Sequence, residues 1–159
     1  ETGAGNDTIA INIHQGKSAK ICVFAGDGDD VIIGGRGNDW LSGEDGNDTI
    51  IGHRGNDELL GGTGNDLIAA GSGEDKIFGT AGRDAIWGQG GRDLIVGGDH
   101  ADLLVGGWGQ DVILAQQGND VLWGGFGKDT LQGQDGIDFF LGGFGQDQVD
   151  RGNRNDKLQ

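Results

Sequence analysis

The chain has 159 residues, of which 37 are glycine and none is proline or methionine, and its 26 acidic and 11 basic residues give a net charge of −15. Because only 34% of the residues are hydrophobic, this composition is typical of a disordered chain, and something other than a large apolar core must stabilise any fold. The acidity argues against nucleic acid and anionic membrane surfaces as partners, and no apolar run is long enough to span a membrane. Cations are the expected partners.

The first 24 residues predict a divergent coil. Residues 3–9 (GAGNDTI) match the nonapeptide that repeats later in the chain, but the spacing from Asp7 to the next aspartate in phase, Asp30, exceeds two nonapeptides and implies a five-residue insertion. The apolar residues of segments 9–13 and 21–24 predict strands. We therefore divide the chain into a divergent N-terminal coil or cap, residues 1–24, and a repeat array, residues 25–159. Cys22 is the only cysteine, which excludes an internal disulfide, and we interpret it as a buried structural thiol.

From residue 30 onward an aspartate recurs at every ninth position without a miss. If it is the sixth position of a nonapeptide, the eighth position is apolar in every unit, and the fourth is glycine in all units except those of His100 and Arg154. The aspartates in this phase, with the one in the N-terminal copy, are Asp7, Asp30, Asp39, Asp48, Asp57, Asp66, Asp75, Asp84, Asp93, Asp102, Asp111, Asp120, Asp129, Asp138, Asp147 and Asp156.

Each unit predicts a six-residue glycine-rich turn followed by a three-residue strand. In such a strand the eighth-position side chain points to one face, and the seventh and ninth point to the other. A strand this short cannot bury a core alone, so successive strands must stack in parallel at about 4.8 Å into a solenoid. Two nonapeptides per coil predict an all-β parallel β-roll with two opposed sheets that share the eighth-position core.

The same stacking aligns the aspartates in two rows. The odd row comprises Asp7, Asp30 and the aspartate of every second unit from there to Asp156, and the even row runs from Asp39 to Asp147 in the same steps. Two carboxylates about 5 Å apart repel by about 3 kcal/mol at an effective dielectric constant of about 20, so the rows require a cation. Calcium, a hard ion that takes six to eight oxygen ligands, suits them better than magnesium or zinc. The eight and six neighbouring pairs predict up to about fourteen calcium ions.

Units such as residues 61–69 (GGTGNDLIA) resemble the calcium-binding nonapeptide of the repeats-in-toxin (RTX) family, and the resemblance extends over residues 25–159. It implies a right-handed parallel β-roll with calcium between successive turns, on an extracellular or cell-surface protein exported by type I secretion. His100, Arg154 and Arg151, which replaces the first glycine of the last unit, depart from the pattern, so we expect weaker calcium sites at those turns.

No constellation for catalysis is evident, because the three serines and three histidines are scattered and match no nucleophile or metalloprotease motif. Together with what the RTX resemblance implies, this predicts a secreted structural, adhesive or self-assembling module that folds when it binds extracellular calcium. The alternative is an accessory calcium-binding domain of a secreted enzyme such as a protease, lipase or polysaccharide epimerase. An ice-binding role is disfavoured, because it needs a regular outward array of threonine and asparagine, and the third position of the turns offers only Thr63.

Two surface patterns predict partners. A contiguous apolar face on one sheet favours self-association or docking of a partner domain, with β-propensity of strand positions as the alternative explanation. We call it the odd face; its members are Val31, Ile33, Ile51, Leu67, Trp87, Leu103, Val105, Val121, Trp123, Phe139 and Leu141. Trp108, Phe126 and Phe144, which recur in the turns of every second unit, predict an aromatic ladder that binds a sugar or a partner or simply covers the turns.

Overall fold

A computed structural model describes residues 3–10, 19–152 and 155–158, and this part of the chain contains strands and turns but no helix. The strands are β1 (Gly3–Ala4), β2 (Thr8–Ala10), β3 (Cys22–Asp27), β4 (Val31–Arg36), β5 (Trp40–Asp45), β6 (Thr49–Arg54), β7 (Glu58–Thr63), β8 (Leu67–Ser72), β9 (Lys76–Ala81), β10 (Ala85–Gly91), β11 (Leu94–Asp99), β12 (Leu103–Gly109), β13 (Val112–Gly118), β14 (Val121–Gly127), β15 (Thr130–Gly136), β16 (Phe139–Phe144), β17 (Gln148–Asp150) and β18 (Lys157–Leu158).

Successive strands alternate between two sheets. One nine-stranded sheet contains the odd-numbered strands and the other the even-numbered strands, and every neighbouring pair is parallel. Strand partners lie two nonapeptides apart, as in the pairing of Ile86 with Leu104, so one coil contains two units. These observations confirm the predicted all-β parallel β-roll. No helix in the described segments is long and apolar enough to cross a membrane.

The first coil confirms the five-residue insertion. Ile9 of β2 pairs with Ile32 of β4, whereas from Ile32 and Ile50 onward each partner lies two nonapeptides along the chain. Residues 11–18, where a strand and a loop were predicted, lie outside the described residues. Strand β3 pairs with β5 in the regular register, which places Val23 at the eighth position and Ile21 where later units carry aspartate.

The strands are longer than the predicted three residues. Most contain six or seven, because pairing continues through the first three positions of the next unit, as in the pairs of Gln89 with Gly107 and Gly90 with Trp108. The residue at the second position has a positive φ, the left-handed backbone conformation, which bends the strand without ending the pairing. Glycine suits this conformation, yet Thr80 and Gln116 adopt it with φ of 84° and 80°.

Each strand from β4 to β16 contributes one large side chain to the core. Every eighth-position residue from Ile32 to Phe140 is fully buried. The first position also points inward and is glycine or alanine from residue 25 to 142, and Ala25, Ala70 and Ala115 are fully buried there. A core of this kind buries little apolar area for the length of the chain, in agreement with the low hydrophobic fraction.

The odd face belongs to the same nonapeptide units as the odd row of aspartates. These units form the even-numbered strands, and the face lies on the outer side of their sheet. None of its residues is buried, and Leu67, Leu103 and Trp123 are the most exposed. The interpretation of Cys22 as a buried thiol is wrong: Cys22 occupies the seventh position, which faces outward, and is exposed, while Val23 beside it is buried. The alternation of side chains along the strand explains the difference.

The aromatic ladder exists, but it does not lie in isolated turns. Trp108, Phe126 and Phe144 are on β12, β14 and β16, the strands that also carry the odd face, because the strands extend through the third position. The Trp108 and Phe126 ring centroids are 4.3 Å apart with an interplanar angle of 13°, and those of Phe126 and Phe144 are 4.9 Å apart at 8°. The rings therefore stack face to face along the axis of the roll.

Candidate calcium sites

Hydrogen bonds between coils align the aspartates of each row. The backbone N–H of one aspartate donates to Oδ1 of the aspartate in the next coil, as from Asp66 to Asp84 at 2.9 Å and from Asp84 to Asp102 at 2.8 Å. The same bond repeats in both rows, including from Asp7 to Asp30 at 2.6 Å across the insertion. Each carboxylate is therefore fixed at the turn that joins the two sheets, directly below the aspartate of the preceding coil.

The second carboxylate oxygen of most aspartates is buried and has no hydrogen-bond partner. An unpaired ionised oxygen inside a protein is costly, and such atoms are normally satisfied by a donor, a water molecule or a cation. The residues whose Oδ2 is buried and unpaired are Asp30, Asp39, Asp48, Asp57, Asp66, Asp75, Asp84, Asp93, Asp102, Asp111, Asp120, Asp129 and Asp138. They form an unbroken series through both rows.

Backbone carbonyls share the space around these oxygens. A Cβ atom added to Gly88, at the first position, would lie 2.5 Å from Oδ2 of Asp93 and 2.8 Å from the carbonyl oxygen of Gly106 in the next coil. Only a small residue fits between them, which explains why the first position is glycine or alanine from residue 25 to 142. The carboxylate and the carbonyl thus approach the same small region from two successive coils.

A second carbonyl approaches each turn at the fourth position. The carbonyl oxygen of Gly109 points at Gly127 of the next coil, where Oδ1 of Asp129 also lies nearby. His100, which replaces glycine here, adopts φ of 79° and directs its carbonyl oxygen toward Gly118 in the same way. The substitution therefore preserves the local backbone conformation, whereas Arg154 lies outside the described residues.

Burial raises the pKa of the aspartates in the middle of the rows. The pKa is raised from 3.8 to about 7 for Asp66, Asp93 and Asp102, chiefly because burial penalises the charged form, and the neighbouring aspartates of the row add to the effect. The same cause raises the pKa of Asp57 and Asp111 to about 6. Without a cation, the folded rows would hold protons that the unfolded chain has already released at neutral pH.

The donors fit calcium. Within residues 3–10, 19–152 and 155–158, no three His, Cys, Asp or Glu side chains converge on one point, and the oxygens that lie together at each turn are aspartate carboxylates and backbone carbonyls. Oxygen-only coordination by carboxylates and main-chain carbonyls is the chemistry of calcium, whereas zinc prefers nitrogen and sulfur ligands. In a calcium site here, the unpaired Oδ2 atoms would supply the negative charge and the carbonyls would supply neutral ligands.

A family comparison agrees with this chemistry. The profile of the RTX calcium-binding nonapeptide repeat (4 copies) matches overlapping segments that together span residues 24–158, and the chain belongs to this family. The matched segments are 24–59, 51–86, 60–95, 78–113, 87–122, 105–140, 114–149 and 123–158. No curated protein shows significant similarity to the chain. The chain is thus a calcium-binding β-roll.

The ends of the rows differ from the middle. Asp7 and Asp147 are only half-buried, and Asp156 is buried at the C-terminal end of the odd row. At the N-terminal end of the even row the backbone of Ile21 donates to Oδ1 of Asp39 at 2.9 Å, but Ile21 contributes no carboxylate. The first-position residues, which were not predicted to belong to the sites, border the Oδ2 atoms, and their restriction to glycine and alanine is the sequence signal for this role.

Proposed function

We propose that this β-roll is a secreted structural or adhesive module that is unfolded at the low calcium concentration of the cytosol and folds on calcium outside the cell. The observation that carries the proposal is the unbroken series of buried, unpaired Oδ2 atoms, which a divalent cation would satisfy and which nothing else in the described structure does. Calcium that binds only the folded form adds its binding free energy to folding. Sites with affinities of about 0.1–1 mM would be empty inside cells and occupied outside.

All sixteen aspartates of the two rows are proposed as ligands, with up to about fourteen ions. If each ion is shared between successive coils, an aspartate in the middle of a row serves two ions and a terminal one serves a single ion. Asp84→Asn should then raise the calcium concentration at the folding midpoint more than Asp156→Asn does, as measured by circular dichroism. Equal shifts for the two variants would argue against shared ligation.

The odd face is the proposed surface for association with a second copy of the chain. It is continuous along β4 to β16, and a face of seven strands is about 30 Å long, sufficient for a two-fold interface. Replacing Trp87, Val105 and Trp123 together by threonine should retain calcium-induced β-structure, because threonine suits strands, and abolish dimers in sedimentation velocity. An unmodified chain that stays monomeric at high concentration in calcium would refute self-association.

The second candidate is an accessory, non-catalytic domain of a secreted enzyme. What supports it is the family itself, whose repeats are generally calcium-binding modules and not catalytic units. The coding sequence on either side of this segment distinguishes the two candidates: a neighbouring catalytic domain favours the accessory role, and neighbouring adhesion or further repeat modules favour the structural one.

A further inference from the structure

The aromatic stack ends at an open slot. One face of the Trp108 indole is covered by Phe126, so the opposite face is directed along the roll toward the preceding coil, where the register partner is Gly90. Gly90 has no side chain, and a Cβ atom added there would meet only the carbonyl oxygen of Gly71, at 3.9 Å. Gly90 pairs in turn with Ser72 of the coil before it, so Ser72 lies two coils from Trp108. The slot between Trp108 and Ser72 is therefore about 10 Å from backbone to backbone.

A polar groove adjoins the slot. It is a shallow, open depression of about 660 Å³, lined at Gly73, Gly91 and Gly109, which directly follow Ser72, Gly90 and Trp108 in the sequence. Its floor is made of fourth-position glycines, and its side chains offer a carboxylate, a guanidinium and two amides. The lining residues are Asn56, Gly73, Glu74, Gly91, Arg92, Gly109 and Gln110.

We propose that this slot binds one pyranose ring of a neutral oligosaccharide. A ring about 4–5 Å thick fits between Trp108 and Ser72, and its C–H face can pack on the free indole face. Its hydroxyl groups can then bond to Glu74, Arg92 and Gln110, which provide both donors and acceptors. The lining contains one carboxylate, Glu74, and one guanidinium, Arg92, so it offers no excess of positive side-chain charge to a polyanionic sugar. The inference rests on the proposed function, because only the calcium-folded roll brings these residues together.

The slot, and not the ladder as a whole, is the sugar site. Phe126 is stacked on both sides, by Trp108 and by Phe144, so neither of its faces is available to a ligand. Trp108 is 67% exposed and retains one free face. Phe144, at the other end, also stacks on one side only and is 72% exposed, but the slot over Gly90 and the polar groove lie at the Trp108 end, and the inner ring is assigned to stabilising the coils.

Isothermal titration calorimetry in 5 mM calcium tests the site with cellopentaose, chitopentaose and mannopentaose, and with pentagalacturonate as the polyanionic comparison. At least one neutral sugar should bind, and pentagalacturonate should bind at least tenfold more weakly. Trp108→Ala should weaken binding at least tenfold because it removes the stacking surface. Gly90→Phe should also weaken binding at least tenfold, because a fourth ring would fill the slot. Phe144→Ala, at the far end of the stack, is the matched control and should leave the affinity unchanged.

Circular dichroism of each variant in calcium separates the possible failures. A chain that stays unfolded in calcium overturns the proposed function and, with it, the slot. A folded chain that binds none of the neutral sugars at 5 mM overturns the sugar site alone. Binding that survives Gly90→Phe, or binding of pentagalacturonate in preference to the neutral sugars, also overturns it.

Discussion

Protons should stabilise the calcium-free roll. Burial raises the pKa of Asp66, Asp93 and Asp102 from 3.8 to about 7, so the folded chain binds protons more tightly than the unfolded chain does. The stabilisation is then fully present below pH about 4 and is lost as the pH rises through 6 to 7. At neutral pH without calcium the chain should be unfolded, and acidification toward pH 5 should increase its β-structure.

The magnitude follows from the same shifts. A rise from 3.8 to about 7 corresponds to about 4 kcal/mol for one carboxyl group, and because the turns border solvent we take about half of that, about 2 kcal/mol. With Asp57, Asp111 and Asp120, whose pKa is raised to about 6, six carboxyls contribute. Folding near pH 5 should therefore take up several protons, each adding about 1.4 kcal/mol of stability per pH unit of acidification.

The assay uses protein stripped of calcium by chelating resin and dialysed into calcium-free buffers between pH 4.5 and 8, because soluble chelators lose affinity in acid. Far-ultraviolet circular dichroism gives the folded fraction, and urea titration gives the free energy of unfolding where the chain is folded. Asp102→Asn should reduce the pH dependence by about one proton, whereas Gln117→Asn, which changes a non-titrating side chain at an exposed third position, should leave it unchanged. Stability that is constant or decreases from pH 7.5 to 5 would refute the reasoning.

Three further predictions concern the coil itself. Ile95→Ala, at a fully buried eighth position, should lower the free energy of unfolding in calcium by about 2–5 kcal/mol in urea titration, and an unchanged value would contradict the single-layer core. Gly88→Val should prevent calcium-induced folding, because its side chain would occupy the space of Oδ2 of Asp93; a normal calcium titration would show that the carboxylate is not needed there. Gln116→Gly should raise the melting temperature, because φ of 80° is strained for glutamine, and a lower melting temperature would exclude strain at this bend.

The nonapeptide period predicts most of the fold because it sets both the register and the inward face. Strands paired at a constant separation of two nonapeptides, and a core made of residues such as Ile86 and Leu104, follow from the spacing alone. The separation of Asp7 from Asp30 likewise predicts the shifted first coil. Local sequence suffices here because each coil contacts mainly its neighbours.

What the sequence did not predict depends on three-dimensional pairing. Glycine at the first two positions suggested a turn, but inter-coil hydrogen bonds extend the strands through the third position, which brings Trp108 onto the same strand as Val105. The exposure of Cys22 depends on its register against Trp40, which the divergent sequence before it obscures. The unpaired Oδ2 atoms become visible only when both the carboxylates and their neighbouring carbonyls are in place.

Joint measurement of bound calcium and β-structure tests the central claim most directly. Calcium-stripped protein at pH 7.5 is titrated with calcium, and each sample is analysed by circular dichroism and, after equilibrium dialysis, by elemental analysis for bound ions. β-Structure and bound calcium should rise together and cooperatively, reaching several ions per chain and at most about fourteen. A chain that is fully folded before calcium is added, or that folds without binding calcium, would contradict the account.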